Sequence, residues 1–267
     1  MKRVSWFFML CVWSMGIQAQ NLSEKLRNAA LALQDDVQMK HAMLGLEVIN
    51  AVTGEKLIAI HEETGLAPAS CQKIFTSIAA MELLGPDFRY TTRLGYDAPV
   101  SGNVLQGNLY LTGNGDPTLG SWRYDATKED RQIQEMIRFL KSKGIKKISG
   151  NLIGENGKWD TQFTPNGWIW EDLGNYYGAG PAALNWHENQ YDLYLRSGSR
   201  IGDKVVVLKT KPSLFTEHFD NELRSAAKGT GDQTDIYLAP YSQHGFLRGS
   251  IPVDEKAFVV SGSIPDP

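Results

Sequence analysis

Ser70 and Lys73 lie three residues apart in PASCQKIFTSIAAMELLG, residues 68–85. At the start of a helix this spacing puts a hydroxyl and an amine on the same end, close enough for a proton to pass between them. A serine hydroxyl is a weak nucleophile until a neighbouring base takes its proton. The partial positive charge of a helix N-terminus favours an uncharged amine nearby and stabilises negative charge developing on an attacked carbonyl. The chemistry this pair could perform is acyl transfer, with Ser70 as nucleophile, Lys73 as general base and the Ser70 N–H as one oxyanion donor. Taken alone, the spacing also fits an N-cap serine beside a solvated lysine.

Other chemistry-bearing residues form weaker patterns. His41, His61, His187, His218 and His244 are scattered, without H-E-x-x-H or Cys/His spacing, so no metal site is expected. Gly113-Asn114-Gly115-Asp116 lacks the Gly-Lys-Ser/Thr of a phosphate loop and reads as a tight turn. Trp159, Trp168, Trp170 and Trp186 fall within thirty residues; stacking on sugars is one use, core packing or a lid the simpler one. Cys71 reads as a small helix residue, and no cofactor is implied.

The elements that must position Ser70 can be traced from the start of the chain. Lys2 and Arg3 precede an apolar run from Val4 to Gly16, and a small residue, Ala19, follows. Residues 1–19 therefore read as a secretory signal peptide, the apolar run being too short to span a bilayer comfortably, with an uncleaved anchor as the alternative. Its removal would take Lys2, Arg3 and no acid, so the net charge of −3 becomes −5. That balance gives no basic field for nucleic acid. Cys11 would leave with the leader, and the remaining Cys71 cannot form an internal disulfide. A soluble periplasmic protein is the expectation, with no stable membrane span after cleavage.

An amphipathic helix is expected from Ser23 to about Gln38, with Ser23 as N-cap. Residues 42–50 and 56–61 flank Val52-Thr53-Gly54-Glu55 and predict an antiparallel hairpin. A helix from Ser70 to about Leu84 should bury Ile74, Phe75, Ile78, Ala79, Met81 and Leu83, and Gly85-Pro86 should end it. Beyond Arg89 short strands follow, at 91–97, 108–113, 151–155, 191–196 and 205–210, with one helix at about 128–143. Residues 225–235 read as a loop. The fold class is α+β, with a boundary near residue 90.

Pro68-Ala69-Ser70-Cys71-Gln72-Lys73-Ile74-Phe75-Thr76 resembles the D-alanyl-D-alanine carboxypeptidase/endopeptidase family of penicillin-binding proteins. So do ELLGPDFRYTT (82–92), GNLYLTGNGDPTL (107–119), GWIWEDLGNYYGAGPAALN (167–185) and GSIPDP (262–267). The resemblance runs from about residue 25 to 267. It implies a serine acyl-enzyme mechanism on peptidoglycan stem peptides ending in D-Ala-D-Ala, with β-lactam antibiotics as acylating inhibitors. It also implies a partial serine β-lactamase/transpeptidase-like domain (20–90), interrupted by a β-rich insert (91–258), with 259–267 starting the return to the first domain. By the same resemblance Glu155 falls where members often carry an acid facing the cleft, though the motif is degenerate and also fits a surface acid.

The family completes its site with S-x-N and K-T-G. Here Ser101-Gly102-Asn103 and Ser149-Gly150-Asn151 match the first only as turns, Lys209-Thr210-Lys211 lacks the glycine, and Lys228-Gly229-Thr230-Gly231 has the wrong order. The expectation is an incomplete enzyme with little acylation by this chain alone. The alternatives are a non-catalytic peptidoglycan-binding module using the insert and, less compatible with so large an insert, a β-lactamase.

Overall fold

The computed structural model describes residues 22–156, 159–214 and 218–267. The expected leader, residues 1–19, lies outside them. Among the described residues no helix is long and apolar enough to cross a membrane. The chain divides into two units, one ending at Asp87 and the other running from Phe88 to Pro267.

The first unit opens with helix α1, Leu22–Gln34. Ser23 is inside this helix, and a separate 3-10 turn, Val37–Met39, follows. Asp36 stops the helix from running on by turning its carboxylate to the Gln38 N–H at 2.8 Å. Strands β1 (Leu46–Ile49) and β2 (Lys56–Ile60) pair antiparallel, with Leu46 opposite Ile60 and Val48 opposite Ile58. Asn50 shapes their turn, its side chain accepting from the N–H groups of Val52 and Thr53 at 2.9 and 3.2 Å. Gly54 supplies the positive φ of 73° that the turn needs. Ala30 on α1 packs with Ile58 and Ile60 of β2, and Leu26, Leu44 and Val48 surround them.

Helix α2, Gln72–Leu84, ends at Gly85, whose N–H returns to the Met81 carbonyl at 3.0 Å with φ 76°. The stop is where the sequence predicts it, but the buried face is not. Ile74, Phe75, Ile78, Met81 and Leu83 are all exposed, Phe75 by 66%, and α2 buries no residue. The amphipathic pattern identifies the apolar face, but no described element covers it.

The second unit is β-rich. Strands β3 (Arg93–Tyr96), β4 (Val100–Ser101), β5 (Val104–Leu105) and β6 (Leu109–Thr112) come first. They are followed by helix α3 (Glu129–Ser142) and strands β7 (Lys147–Ile148) and β8 (Leu152–Glu155). Two three-stranded sheets result, in the orders β3-β6-β8 and β4-β5-β7. Leu105, Leu109 and Ile145 form their buried centre, and Leu140 of α3 packs on it. Glu129 and Asp130 in the first turn of α3 and Lys141 in its last agree with the helix dipole.

A short helix, α4 (Trp170–Leu173), leads to strands β9 (Gln190–Arg196) and β10 (Val206–Lys211). Strands β11 (His218–Asn221), β12 (Arg224–Ala226), β13 (Gln233–Tyr237), β14 (His244–Pro252) and β15 (Phe258–Ser263) complete the unit. β9 lies between β10 and β15, antiparallel to both. β11 and then β12 run parallel to the same long β14, and β13 pairs with it antiparallel. Alternation along β9 sends Tyr191, Leu193 and Leu195 inward, against Ile236, Leu238, Leu247, Ile251 and Val260. This is the larger core.

One expectation changes here. The stretch 225–235 is not all loop, since Ser225 is buried in β12 and Gln233 opens β13. Residues 259–267 belong to the second unit. They continue through β15, paired with β9, and Ile264 is buried in the same core.

Candidate active site

Ser70 sits in a 3-10 turn, Ala69–Cys71, that leads directly into α2. It does not cap α2, which starts at Gln72 with Cys71 in the capping position. Lys73 Nζ donates to Ser70 Oγ at 2.9 Å. That distance is within the reach over which a proton can pass between two such groups. Both side chains are exposed.

The turn that presents Ser70 is strained. Ala69 has φ 45°, in the left-handed region where a residue with a Cβ costs on the order of 1–2 kcal/mol. The Cys71 N–H donates to the Pro68 carbonyl at 3.0 Å and closes the turn around it. Backbone strain of this kind clusters where side-chain direction matters more than local stability.

Glu155 ends β8 in the second unit, opposite Thr112 of β6, and is exposed. The S-x-N look-alikes are structural. Gly102 and Asn103 make the β4–β5 turn with φ 57° and 66°. Ser149 Oγ donates to the Leu105 carbonyl at 2.9 Å, and the Asn151 N–H to Asn108 Oδ1 at 3.0 Å. Thr210 in β10 accepts from the Leu214 N–H, and Lys209 lies over the Tyr194 ring at 4.7 Å. Gly229 and Gly231 are turn glycines.

Among the described residues no group of three or more His, Cys, Asp or Glu side chains could hold a metal ion. The tryptophans depart from the core reading: Trp159, Trp168 and Trp170 are 42%, 42% and 48% exposed, while Trp186 lies against Gly120.

A knot at residues 182–189 escaped the sequence reading. His187, Glu188 and Asn189 take φ values of 54°, 57° and 53°, three left-handed residues in a row. The buried Asn189 amide holds them, donating to the Gly180 carbonyl at 2.9 Å and to Asn185 Oδ1 at 2.6 Å, while accepting from the Trp186 N–H. Glu188 accepts from Ser121 Oγ at 2.6 Å and from Arg123 Nε at 2.8 Å. Only the asparagines hint at this in the sequence, since Asn tolerates a positive φ better than most residues.

The family model of the D-Ala-D-Ala carboxypeptidase 3 (S13) family matches residues 25–267. A D-alanyl-D-alanine carboxypeptidase of Actinomadura sp. (strain R39) is 29% identical over 244 residues, 90% of this chain and 41% of that protein. The D-alanyl-D-alanine carboxypeptidase DacB of Haemophilus influenzae is 32% identical over 144 residues, 54% of this chain and 28% of its own length. Among solved structures, penicillin binding protein 4 (dacB) from Haemophilus influenzae superposes with a TM-score of 0.63 at 25% identity. That match covers 82% of this chain and 46% of the other. The chain thus spans less than half the length of these relatives, and its architecture is the α+β one of penicillin-binding proteins.

Proposed function

We propose, from the premise that this chain belongs to the D-Ala-D-Ala carboxypeptidase 3 (S13) family, that Ser70 is the nucleophile and Lys73 the general base of a serine carboxypeptidase acting on peptidoglycan stem peptides. The observation that carries this reading is the 2.9 Å contact between Lys73 Nζ and Ser70 Oγ at the strained start of α2. Ser70 Oγ bonds to the carbonyl carbon of the penultimate D-Ala, its proton passes to Lys73, and the terminal D-Ala leaves with a proton as the peptide C–N bond breaks. Water then cleaves the acyl ester and restores Ser70. The same attack opens a β-lactam ring and leaves a covalent acyl-enzyme. Endopeptidase action on cross-links is the same chemistry with a longer leaving amine. Glu155 is the proposed acidic contact to substrate from the second unit.

The 267 residues lack a convincing S-x-N or K-T-G. Losing one oxyanion donor alone costs about 2.7–4 kcal/mol of transition-state stabilisation. The apolar face of α2, bare from Ile74 to Leu83, supports completion of the site by further polypeptide. Burying five such side chains would contribute on the order of 10 kcal/mol.

The expected outcome is that the 267-residue chain incubated with a fluorescent penicillin is labelled slowly and far below one label per molecule. Whatever label forms should vanish in Ser70→Ala. Stoichiometric labelling lost in that variant would overturn the claim of incompleteness; labelling unaffected by it would overturn the assignment of Ser70. Export to the periplasm follows from residues 1–19, and an exported protein beginning at Gln20 is the expected result of N-terminal sequencing. Retention of Met1 would contradict it.

A further inference from the structure

The second unit carries a cavity of about 450 Å³, within the range of small-molecule sites. Asn175, Tyr176 and Tyr177 form one wall, the start of β13 with Asp232, Thr234 and Asp235 another, and Val259–Ser261 of β15 the third. Tyr176 and Tyr177 stand edge to face at 5.2 Å and are 51% and 56% exposed. The rings continue past the cavity. Trp170 of α4 lies 5.9 Å from Tyr237 of β13, and Tyr237 shares a strand face with Asp235.

Three observations define what would fit. Large aromatic rings are concentrated and exposed on one surface, where solubility alone gives no reason for them. Asp232 and Asp235 line the cavity while no Lys, Arg or His does; Arg248, opposite Asp235 on β14, lies outside the lining with its guanidinium over the Tyr237 ring at 5.4 Å. Partial burial, together with the Asp172 and Asp235 carboxylates, holds the Tyr177 phenol above its ordinary range, so the site is disfavoured for anions.

A pyranose meets all three demands. Its hydroxyls donate to carboxylates, its C–H faces lie flat on aromatic rings, and it carries no negative charge in the neutral or N-acetylated forms. An ammonium group would satisfy the carboxylates and lie over one ring face, but a single cation does not span both the Tyr176–Tyr177 pair and the separate ring of Trp170.

We propose that this cavity and the adjoining exposed ring of Trp170 form a binding subsite for a glycan, a β-linked strand of N-acetylated sugars. The choice of glycan rests on the proposed action at the cell wall, whereas the chemical class rests on the cavity itself. The subsite would hold the carbohydrate strand while the peptides it bears are worked on elsewhere.

The test is titration of the full chain with chitotetraose, followed by tryptophan fluorescence and calorimetry. Saturable binding is expected with Kd of about 0.1–1 mM. Tyr177→Ala and Asp235→Ala should each weaken it roughly three- to tenfold, with unchanged melting, and Tyr177→Phe should retain most of the affinity. No saturation by about 10 mM, or equal affinity in the two alanine variants, would overturn the proposal. So would binding at these residues by a lysine-containing acyl-D-Ala-D-Ala peptide in place of the sugar. Penicillin labelling of Ser70 reads separately, so failure of either experiment leaves the other's outcome standing.

Discussion

Both carboxylate oxygens of Asp97 are committed in the loop between β3 and β4. Oδ1 accepts from the Asn108 N–H at 2.8 Å, and Oδ2 from Asn108 Nδ2 and the Tyr110 hydroxyl, each at 2.9 Å. These bonds, led by the backbone N–H, hold Asp97 below its ordinary carboxylate range. A folded-state value lowered in this way means stability that is present above the unfolded pKa and lost as pH falls through the folded one. Asp97→Asn should therefore lower the melting temperature at pH 7, and the gap to the parent chain should close as the pH falls below about 3.9. Thermal denaturation across pH 3–7 would check this; a gap independent of pH would show that the charge is irrelevant. At Ser70 the same scale sets the limit of sequence reading. The partner of its hydroxyl was legible from a spacing of three. The left-handed Ala69 beside it was not, because alanine carries no signal for a positive φ.

Among the elements, α2 is the most instructive. Its pattern of Ile74, Ile78 and Met81 marks an apolar face, and the stop at Gly85 is clear, so its extent could be read. The partner of a face is another matter, because periodicity reports which side is apolar and not what covers it. Since the face is exposed, replacing Phe75 and Ile78 by Lys should shift the stability of the 267-residue chain by less than about 0.5 kcal/mol for each substitution. It should also reduce binding of a hydrophobic dye. A loss of several degrees in melting temperature would mean the face is packed in solution. The hairpin β1–β2 and strand β9 were legible because alternation and a turn residue agree. β12 and β14 were not: Arg224-Ser225-Ala226 is too short and polar to register, and β14 is broken up in sequence by Gly245, Gly249 and Pro252.

For the molecule as a whole, the second unit has a core of its own, centred on β9 and β14. Residues 88–267 made alone should fold cooperatively, and Leu193→Ala in that fragment should cost about 2–5 kcal/mol, measured by urea denaturation. A fragment without a cooperative transition would show that its strands depend on the first unit. The β-rich character of this region was legible from many short runs, while its sheet order was not, since β11 and β12 reach β14 by parallel pairings far apart in sequence. The knot that ends at Asn189 bears on all of this, because β9 begins at the next residue. Tyr191, Leu193 and Leu195 face inward only while that strand keeps its phase, and a slip of one residue turns every side chain over. The reversal of hand over His187–Asn189 thus acts as an index mark: the number of residues between Asn185 and Tyr191 is part of the core's design as much as the leucines are. A residue inserted between Asn189 and Tyr191 would turn the leucines of β9 outward.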